Sequence, residues 1–223
     1  MSHARPRVFV TGTGTEVGKT VVAAVIARTS AGQGRSVAVF KPCVTGLDEP
    51  GESDHELLRR AAGSRQSDDE IAPYRYGPPA SPHLAAVLAG EEIDPERLQK
   101  AARKAAAGAD ALVCEGVGGL LVPLSPSYSV RDLAADLGYP LVVAAAPGLG
   151  TINQTLLTIE AARAAGLRVA AVVLTPWPEE PSEIEASNRK TIAALGEVEV
   201  FTLPQLDLSA PDSWPRVAFV HAV

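Results

Sequence analysis

The residues best suited to chemistry lie in one stretch near the N-terminus, Val8-Phe9-Val10-Thr11-Gly12-Thr13-Gly14-Thr15-Glu16-Val17-Gly18-Lys19-Thr20. Three apolar β-formers lead into a turn of glycine and threonine, and an apolar helical segment follows. A buried strand, a loop whose backbone N–H groups face one concavity and a helix N-terminus together make a cradle for phosphate. In such a loop Lys19 reaches the β- and γ-phosphates, and the Thr20 hydroxyl ligates Mg²⁺. The stretch predicts a nucleoside triphosphate site.

The glycine spacing differs from that of the usual phosphate loop, which has four residues between its two glycines. Thr13 stands where the first of these glycines would fall, and Gly12 lies one residue earlier. The strand before the loop and the helix after it are the context that the motif requires. We therefore interpret residues 12–20 as a longer variant of the loop, and not as a turn that precedes Lys-Thr by chance.

The segments that must position this loop alternate between short apolar strands and helices. Further strands are predicted at residues 36–40, 111–114, 140–145, 168–174 and 197–201, with helices at 19–30, 54–62, 83–89, 95–107, 129–138, 151–165 and 182–195. Continuous apolar strands that alternate with helices indicate a parallel sheet covered on both faces. Residues 63–82 are predicted to be the one long irregular segment, and the tail after residue 201 to be loop-like. The fold class is α/β, a P-loop NTPase fold with a mostly parallel sheet flanked by helices, in one domain over residues 1–223.

Polar residues lie at the predicted carboxyl ends of these strands, where parallel sheets bind ligands. Lys41 and Thr45 follow the second strand, and Glu115 ends the third. A carboxylate at a helix start, such as Asp54, serves either as an N-cap or as a metal ligand. Because Mg²⁺ prefers one or two carboxylates together with phosphate oxygens, Thr20, Asp54 and Glu115 form a suitable set. The alternatives are a solvated loop acid for Glu115 and a surface lysine for Lys41.

Three other residues have weaker claims to a chemical role. His83 could be a general base, but no partner lies at an evident spacing, so we expect a structural or substrate-lining role. Cys43 has no histidine placed to activate it, and we expect it to pack as a small hydrophobic residue. Trp177 either covers the end of the sheet or stacks near a nucleotide base.

Composition restricts the class of protein further. Apolar residues make up 46% and charged residues 21% of 223 residues, which is ordinary for a globular protein. The net charge of −6 argues against a nucleic-acid partner, since such proteins usually carry a basic face. The two cysteines lack metal-ligand spacing. Without an apolar signal core or a run of about 20 apolar residues, we expect a cytoplasmic protein with no membrane partner.

Five motifs occur in an order that resembles one known family. The match with the dethiobiotin synthetases, ATP-dependent cyclo-ligases of biotin synthesis, runs from about residue 8 to residue 204. The motifs are the loop at residues 10–20, Lys41-Pro42-x-x-Thr45-Gly46, Ser81-Pro82-His83, Glu115-Gly116-x-Gly118-Gly119 and Leu149-Gly150-x-Ile152-Asn153.

The resemblance implies a reaction and its participants. CO₂ adds to one amine of 7,8-diaminononanoate as a carbamate, ATP phosphorylates the carbamate, and the second amine closes a ureido ring with loss of phosphate. Mg²⁺ is the implied cofactor and ATP the co-substrate. The family enzymes are homodimers, with the substrate at the interface. Because little covalent work falls to the protein, catalysis should be positioning and charge neutralisation.

The resemblance also implies roles for individual residues. Lys41 and Lys19 are the catalytic residues, and Mg²⁺ lies among Thr20, Asp54 and Glu115. The substrate-binding residues are Thr45 and, from the partner subunit's helix N-terminus, Gly150, Thr151, Ile152 and Asn153. The implied nucleotide-binding residues are Glu16, Val17, Gly18, Lys19, Thr20, Asp54, Glu115, Gly116, Val117, Gly118, Thr175, Pro176, Leu203, Pro204 and Gln205.

Two positions depart from the family pattern. Thr45 stands where the family often has serine, which keeps the hydroxyl and adds a methyl group. Thr175-Pro176-Trp177 stands where many members carry Asn-Asp, whose amide reads adenine. We therefore hypothesise relaxed selectivity, with nucleoside triphosphates other than ATP also accepted. The competing classes are an ATP-driven switch or partitioning protein and a small-molecule kinase of related fold.

Overall fold

The computed structural model describes residues 5–217. Its strands in this range are β1 (Arg7–Gly12), β2 (Val37–Phe40), β3 (Cys43–Val44), β4 (Tyr74–Arg75), β5 (Ala111–Glu115), β6 (Pro123–Ser125), β7 (Tyr128–Ser129), β8 (Leu141–Ala145), β9 (Val169–Trp177) and β10 (Val200–Pro204). Six of them form a fully parallel sheet in the order β10-β9-β8-β1-β5-β2. The strand order reverses direction at β1, so the crevice at its carboxyl end is where such sheets bind ligands.

Helices cover both faces of this sheet. They are α1 (Lys19–Ala31), α2 (Asp54–Ala62), α3 (Asp68–Ile71), α4 (Pro82–Leu88), α5 (Pro95–Ala107), α6 (Val130–Leu137), α7 (Thr151–Ala164) and α8 (Glu183–Gly196). Several of these helices begin at capping residues that can be recognised in the sequence. Asp94 accepts a hydrogen bond from Glu96 N–H ahead of α5, and Ser182 forms a capping box with Glu185 ahead of α8.

The alternation of side chains along β1 explains the two-faced core. Val8 and Val10 point to the cluster formed with α1 and α2, whereas Phe9 points to the opposite cluster with α5 and α6. Successive side chains of a strand face opposite sides of the sheet, so a strand covered on both sides is apolar throughout. The predicted α/β class with a parallel sheet is therefore confirmed.

The structure corrects the sequence expectations in four places. Residues 63–82 are not one irregular segment, because α3 and β4 lie there and β4 pairs with β3. The strand predicted at 168–174 extends to Trp177, because β10 continues to pair along it. The last strand begins at Val200 and not at 197, because Glu197 ends α8 with a φ of 44°. The hairpin of β6 and β7 was missed, since strands of two or three residues carry no periodic signal.

The tail after β10 is largely irregular, as expected, but it is not merely a surface loop. Trp214 and Val217 are buried in the cluster formed by α1 and α2, and the Trp214 indole N–H donates to Asp207 O at 2.8 Å. No helix within residues 5–217 is both long and apolar enough to cross a membrane. The assignment of all 223 residues to one domain stays a prediction, since the first four and the last six lie outside the described range.

Candidate active site

The phosphate loop, residues 12–20, follows β1 at the centre of the sheet edge. Thr13 N–H donates to Ala144 O on β8 at 3.1 Å, which ties the loop to the neighbouring strand. Glu16 has a φ of 58°, a left-handed conformation that is uncommon outside glycine and clusters at ligand-binding sites. The Lys19 ammonium donates to Gly14 O at 2.7 Å, so the loop encircles the lysine that is expected to meet phosphate.

Two neighbouring segments of the chain border this loop. Gly18 has a φ of 82°, and a Cβ there would lie 2.5 Å from the Thr175 Cγ2 methyl at the end of β9. On the other side, a Cβ on Gly119 would lie 3.7 Å from Gly12 O. The glycine turn at residues 116–119 and the end of β9 therefore both border the phosphate loop.

Next to the loop lies a group of charged and polar side chains, Thr20, Lys41, Asp54 and Glu115, which we call the charged cluster. The Lys41 Nζ lies 2.7 Å from Glu115 Oε1 and 2.7 Å from Asp54 Oδ2. Sheet register explains the first contact: β2 pairs with β5 through Phe40 and Cys114, so the residues that follow, Lys41 and Glu115, lie side by side. Asp54 is the first residue of α2.

Thr20 contributes a hydroxyl oxygen to the cluster. Its Oγ1 lies 2.9 Å from Glu115 Oε1 and 3.0 Å from Asp54 Oδ1. A hydroxyl has one hydrogen and can satisfy only one of these contacts at a time. In the described part of the chain, Glu115 Oε2 is buried and has no hydrogen-bond partner. Converging oxygens with spare lone pairs are the donors that a hard cation such as Mg²⁺ accepts.

The charges of the cluster are mutually dependent. Burial alone would lower the pKa of Lys41, but the Glu115 and Asp54 carboxylates outweigh it and raise that pKa, so the ammonium is retained. Burial would raise the pKa of Asp54, yet Lys41 and Thr20 hold it below its ordinary value. Burial raises the pKa of Glu115, and contact with Lys41 opposes that rise. The Asp54 carboxylate, with its lowered pKa, supplies the charged partner that a buried ammonium requires.

Lys19 differs from Lys41 in its electrostatic surroundings. Burial lowers the pKa of Lys19, and attraction to Glu115 offsets only part of this effect. Its ammonium makes its hydrogen bond to a neutral carbonyl and not to a carboxylate. An incoming phosphate would supply the missing negative charge, which fits the role predicted for this lysine.

The predicted substrate residues lie in two separate places. Thr45, half-buried just beyond β3, lines the same cavity as Asp54. At the start of α7, Gly150 and Asn153 are exposed, Ile152 is half-buried, and Thr151 is buried with its Oγ1 3.4 Å from Thr155 Oγ1. Within residues 5–217, no hydrogen bond or ion pair connects this turn to the charged cluster.

Sequence reasoning missed the residue that shapes the turn before α7. The Asn188 side-chain amide, buried on α8, donates to Pro147 O at 3.0 Å and to Gly148 O at 3.1 Å. Because Asn188 lies about 40 positions away in the middle of a helix, no local motif could have revealed it.

The residues expected to meet the base lie at the ends of β9 and β10, which pair through Trp177 and Pro204. Pro176, Pro204 and Gln205 are exposed, whereas Thr175 and Leu203 are buried. The Leu203 side chain packs into the core cluster that includes residues of α1. The predicted glycine turn at Gly116, Val117 and Gly118 lies beside the phosphate loop, and Gly118 has a φ of 61°.

The structure also bears on the three weaker candidates. Cys43 is fully buried and burial raises its thiol pKa to about 12, in agreement with a packing role. Trp177 packs partly against the cluster between the sheet and α8, so it covers the sheet end. His83 is half-buried, and in the described residues its Nδ1 has no hydrogen-bond partner.

A strand, a phosphate loop and a helix at the edge of a parallel sheet with this strand order define a P-loop NTPase. The family model described as an AAA domain matches residues 6–213. The fold is similar to that of a solved structure, the signal recognition particle 54 kDa protein from Aeropyrum pernix K1 in complex with GDP. The TM-score is 0.54 at 13% identity, over 99% of this chain and 46% of that one. A likeness at this identity concerns the fold alone.

Sequence comparison identifies the particular family. The chain is 45% identical over 188 residues to an ATP-dependent dethiobiotin synthetase of Anaeromyxobacter dehalogenans, covering 84% of each protein. It is 40% identical to that of Rhodococcus erythropolis, over 87% of this chain and 86% of the relative. It is 33% identical to that of Bacillus subtilis, over 86% and 84%. The chain belongs to the ATP-dependent dethiobiotin synthetase family.

Proposed function

We propose that this protein converts 7,8-diaminononanoate, CO₂ and a nucleoside triphosphate into dethiobiotin, nucleoside diphosphate and phosphate. The observation that carries this proposal is the buried Lys41, held by two carboxylates directly beside the phosphate loop. A switch ATPase or a kinase needs a phosphate loop too, but the family relationship favours the ligase.

Magnesium fits the oxygens of the charged cluster. Thr20, Asp54 and Glu115 would hold it, because one hydroxyl cannot satisfy both carboxylates and Glu115 Oε2 lacks a partner among the described residues. Residues 5–217 contain no group of three or more His, Cys, Asp or Glu side chains able to hold a metal, so phosphate oxygens and water would complete its shell. When bound, Mg²⁺ neutralises charge on the phosphate oxygens.

The reaction itself requires two displacements. A carbamate oxygen forms a bond to the γ-phosphorus while the nucleoside diphosphate leaves, with Lys19 stabilising negative charge on the transferred group. The second amine then forms a C–N bond to the carbamate carbon, phosphate departs with the C–O electron pair, and the amine proton is released to solvent. Lys41, a retained cation within the site, is placed to steady the carbamate and the transferred phosphoryl group.

The binding of the substrate carboxylate is proposed to require a second copy of the chain. The N-terminus of α7, with Gly150, Thr151, Ile152 and Asn153, is suited to an anion because its N–H groups and helix dipole attract negative charge. Leu149, at 96% exposure, and Leu157, at 56%, are large apolar side chains on this segment. Exposed apolar surface of this kind supports a homodimer in which α7 of one copy meets the site of the other.

The nucleotide preference and the cellular location complete the proposal. The end of β9 offers Thr175, whose methyl faces Gly18, and Pro176, which has no N–H to donate. The lack of a side-chain amide there supports acceptance of several nucleoside triphosphates. We place the reaction in the cytoplasm, where such nucleotides are supplied.

The test measures phosphate release with each substrate omitted in turn. Release should require both the diamine and bicarbonate, and ¹³C-bicarbonate should label the ureido carbonyl of the product in mass spectra. ATP hydrolysis that is independent of the diamine would indicate a switch ATPase and contradict the proposal. Transfer of phosphate to the diamine without bicarbonate would indicate a kinase.

A further inference from the structure

β2, the strand directly before Lys41, lies at the edge of the sheet. Directly before β2, the backbone carbonyl of Ser36 faces β5, since Ser36 O accepts hydrogen bonds from Asp110 N–H and Ala111 N–H at 3.0 Å each. Backbone groups of a strand alternate between its two sides, so those of Val39 and Lys41 face outward, away from the sheet. Because these N–H and C=O groups are buried, they need hydrogen-bond partners from outside the sheet.

Those partners come from one segment, the connection from α2 to α3 together with α3. Lys41 N–H donates to Ile71 O, the last residue of α3, at 2.9 Å. Two residues earlier, Val39 N–H donates to Gln66 Oε1 at 2.8 Å, and Gln66 Nε2 donates to Val39 O at 3.1 Å. The carboxamide of Gln66 therefore satisfies both backbone groups of Val39, as a neighbouring strand would.

The orientation of this carboxamide is determined by its surroundings. The Ser64 hydroxyl donates to Gln66 Oε1 at 3.0 Å, and Gln66 N–H donates to Ser64 Oγ at 3.2 Å. The opposite orientation of the amide would place its oxygen against Val39 O and its NH₂ against Val39 N–H, with two repulsive contacts. Only the observed orientation of the carboxamide satisfies the N–H and C=O of Val39 together with its own oxygen and NH₂ group.

We propose that Gln66 is a positioning residue for Lys41 in the reaction proposed above, on which this inference rests. The Lys41 ammonium must reach Glu115 on β5 and Asp54 on α2 at the same time, at 2.7 Å each. Gln66 lies in the connection that follows α2, so its carboxamide fixes β2 relative to the helix that carries Asp54. Displacement of β2 would lengthen at least one of the two ion pairs.

The test replaces the carboxamide with an alkyl group of similar size. In Gln66→Leu, kcat for dethiobiotin formation should fall by about ten- to a hundredfold, the scale of a small misplacement of a catalytic group, while KM for the nucleotide changes less than about twofold. The matched control is Gln99→Leu on α5. Its side-chain amide also reaches two polar partners, the Tyr128 hydroxyl and Asp136 Oδ2, remote from Lys41. This control should lower thermal stability without lowering kcat.

A second readout does not depend on turnover. Wild-type Lys41, as a buried paired ammonium, should give an exchange-protected Nζ signal in ¹⁵N NMR spectra, which is assigned with Lys41→Arg. Gln66→Leu should shift or broaden this signal, and Gln99→Leu should leave it unchanged. If Gln66→Leu fails to fold, Gln66→Glu decides, because it keeps the acceptor for Val39 N–H but sets a carboxylate oxygen against Val39 O in place of the donor; kcat and the Lys41 signal should then still change.

The outcomes separate this inference from the proposed function. An unchanged kcat and an unchanged Lys41 signal in both Gln66 variants would overturn the positioning role while the ligase activity stands. An equal loss of kcat in Gln99→Leu would show that Gln66 affects kcat only through the general stability of the protein. If the wild type makes no dethiobiotin, the proposed function fails, and the Lys41 signal alone still decides whether Gln66 positions that ammonium.

Discussion

The two parts of the candidate site, the charged cluster and the turn before α7, are built in opposite ways. In the cluster, Lys41 and Glu115 are 3% and 0% exposed, and each side chain contacts another member. In the turn, Gly148, Leu149 and Gly150 are exposed, and Asn188 holds the backbone from behind. The cluster thus forms from side chains of one chain, whereas the turn presents exposed backbone.

This difference fits what each part is proposed to bind. Phosphoryl transfer gains most from charges that are fixed and desolvated before the substrate arrives, because they need no reorganisation during the reaction. An extended substrate with a distant carboxylate needs a second anion site farther away, and a helix N-terminus of another subunit can supply one. The predictions below test whether the cluster governs chemistry and the turn governs substrate binding.

The largest effect is expected at the centre of the cluster. Lys41→Ala should abolish turnover, with a loss of at least about a hundredfold, because a cation aimed at the transferred group is removed. Much of the nucleotide affinity should remain, since Lys19 and the loop are intact. Steady-state kinetics and calorimetric nucleotide titration measure the two quantities. Lys104→Ala, an exposed lysine paired with Glu70, is the control. Loss of nucleotide binding alone would reassign Lys41 to the nucleotide.

A somewhat smaller effect is expected at the wall of the phosphate loop. Gly18→Ala should weaken nucleotide binding by at least about tenfold, because the new methyl meets Thr175 Cγ2 at 2.5 Å. Gly34→Ala is the matched control, as its φ of 81° carries the same left-handed strain with open space around it. Adding Thr175→Ser, which removes Cγ2, should restore part of the affinity. Equal binding by both single variants would contradict the steric explanation.

The turn should respond in a different way. Leu149→Lys should weaken self-association and raise KM for the diamine by about tenfold, because a charge is costly to desolvate in an apolar interface. The kcat at saturating diamine should change little. Sedimentation velocity and kinetics provide the measurements, with Leu195→Lys, 67% exposed on α8, as the control. A variant with unchanged KM and unchanged mass would remove this turn from the interface.

The smallest effect concerns the base of the nucleotide. Values of kcat/KM for ATP, CTP and GTP should lie within about tenfold of one another. A side-chain amide at the end of β9 would add a few kcal/mol of discrimination through its hydrogen bonds to the base, and Thr175 and Pro176 do not supply it. Competition assays with the three nucleotides measure it. A strong preference for ATP would show that backbone groups at the ends of β9 and β10, or the exposed Gln205 amide, read adenine.

Much of the fold was predictable because its signals are local. Capping residues such as Ser182 and Asp94 placed helix starts correctly, and continuous apolar runs placed five strands of the central sheet within one or two residues at their starts. The missed strands, β3, β4, β6 and β7, have two or three residues each; β3 pairs with the distant β4, and β6 and β7 form a local hairpin. Strands this short carry no periodic signal in the sequence.

The amino-acid sequence by itself determined the phosphate loop, the parallel sheet and the identity of the polar residues at its edge, because local propensity and motif spacing suffice for these. Only the tertiary structure decided that Lys41, Asp54, Glu115 and Thr20 meet within hydrogen-bond distance. The physical reason is register: the pairing of β2 with β5 sets Lys41 beside Glu115, and α2 then brings Asp54 to both. Gln66 and Asn188 act through such long-range contacts, so their roles became visible only in the folded chain.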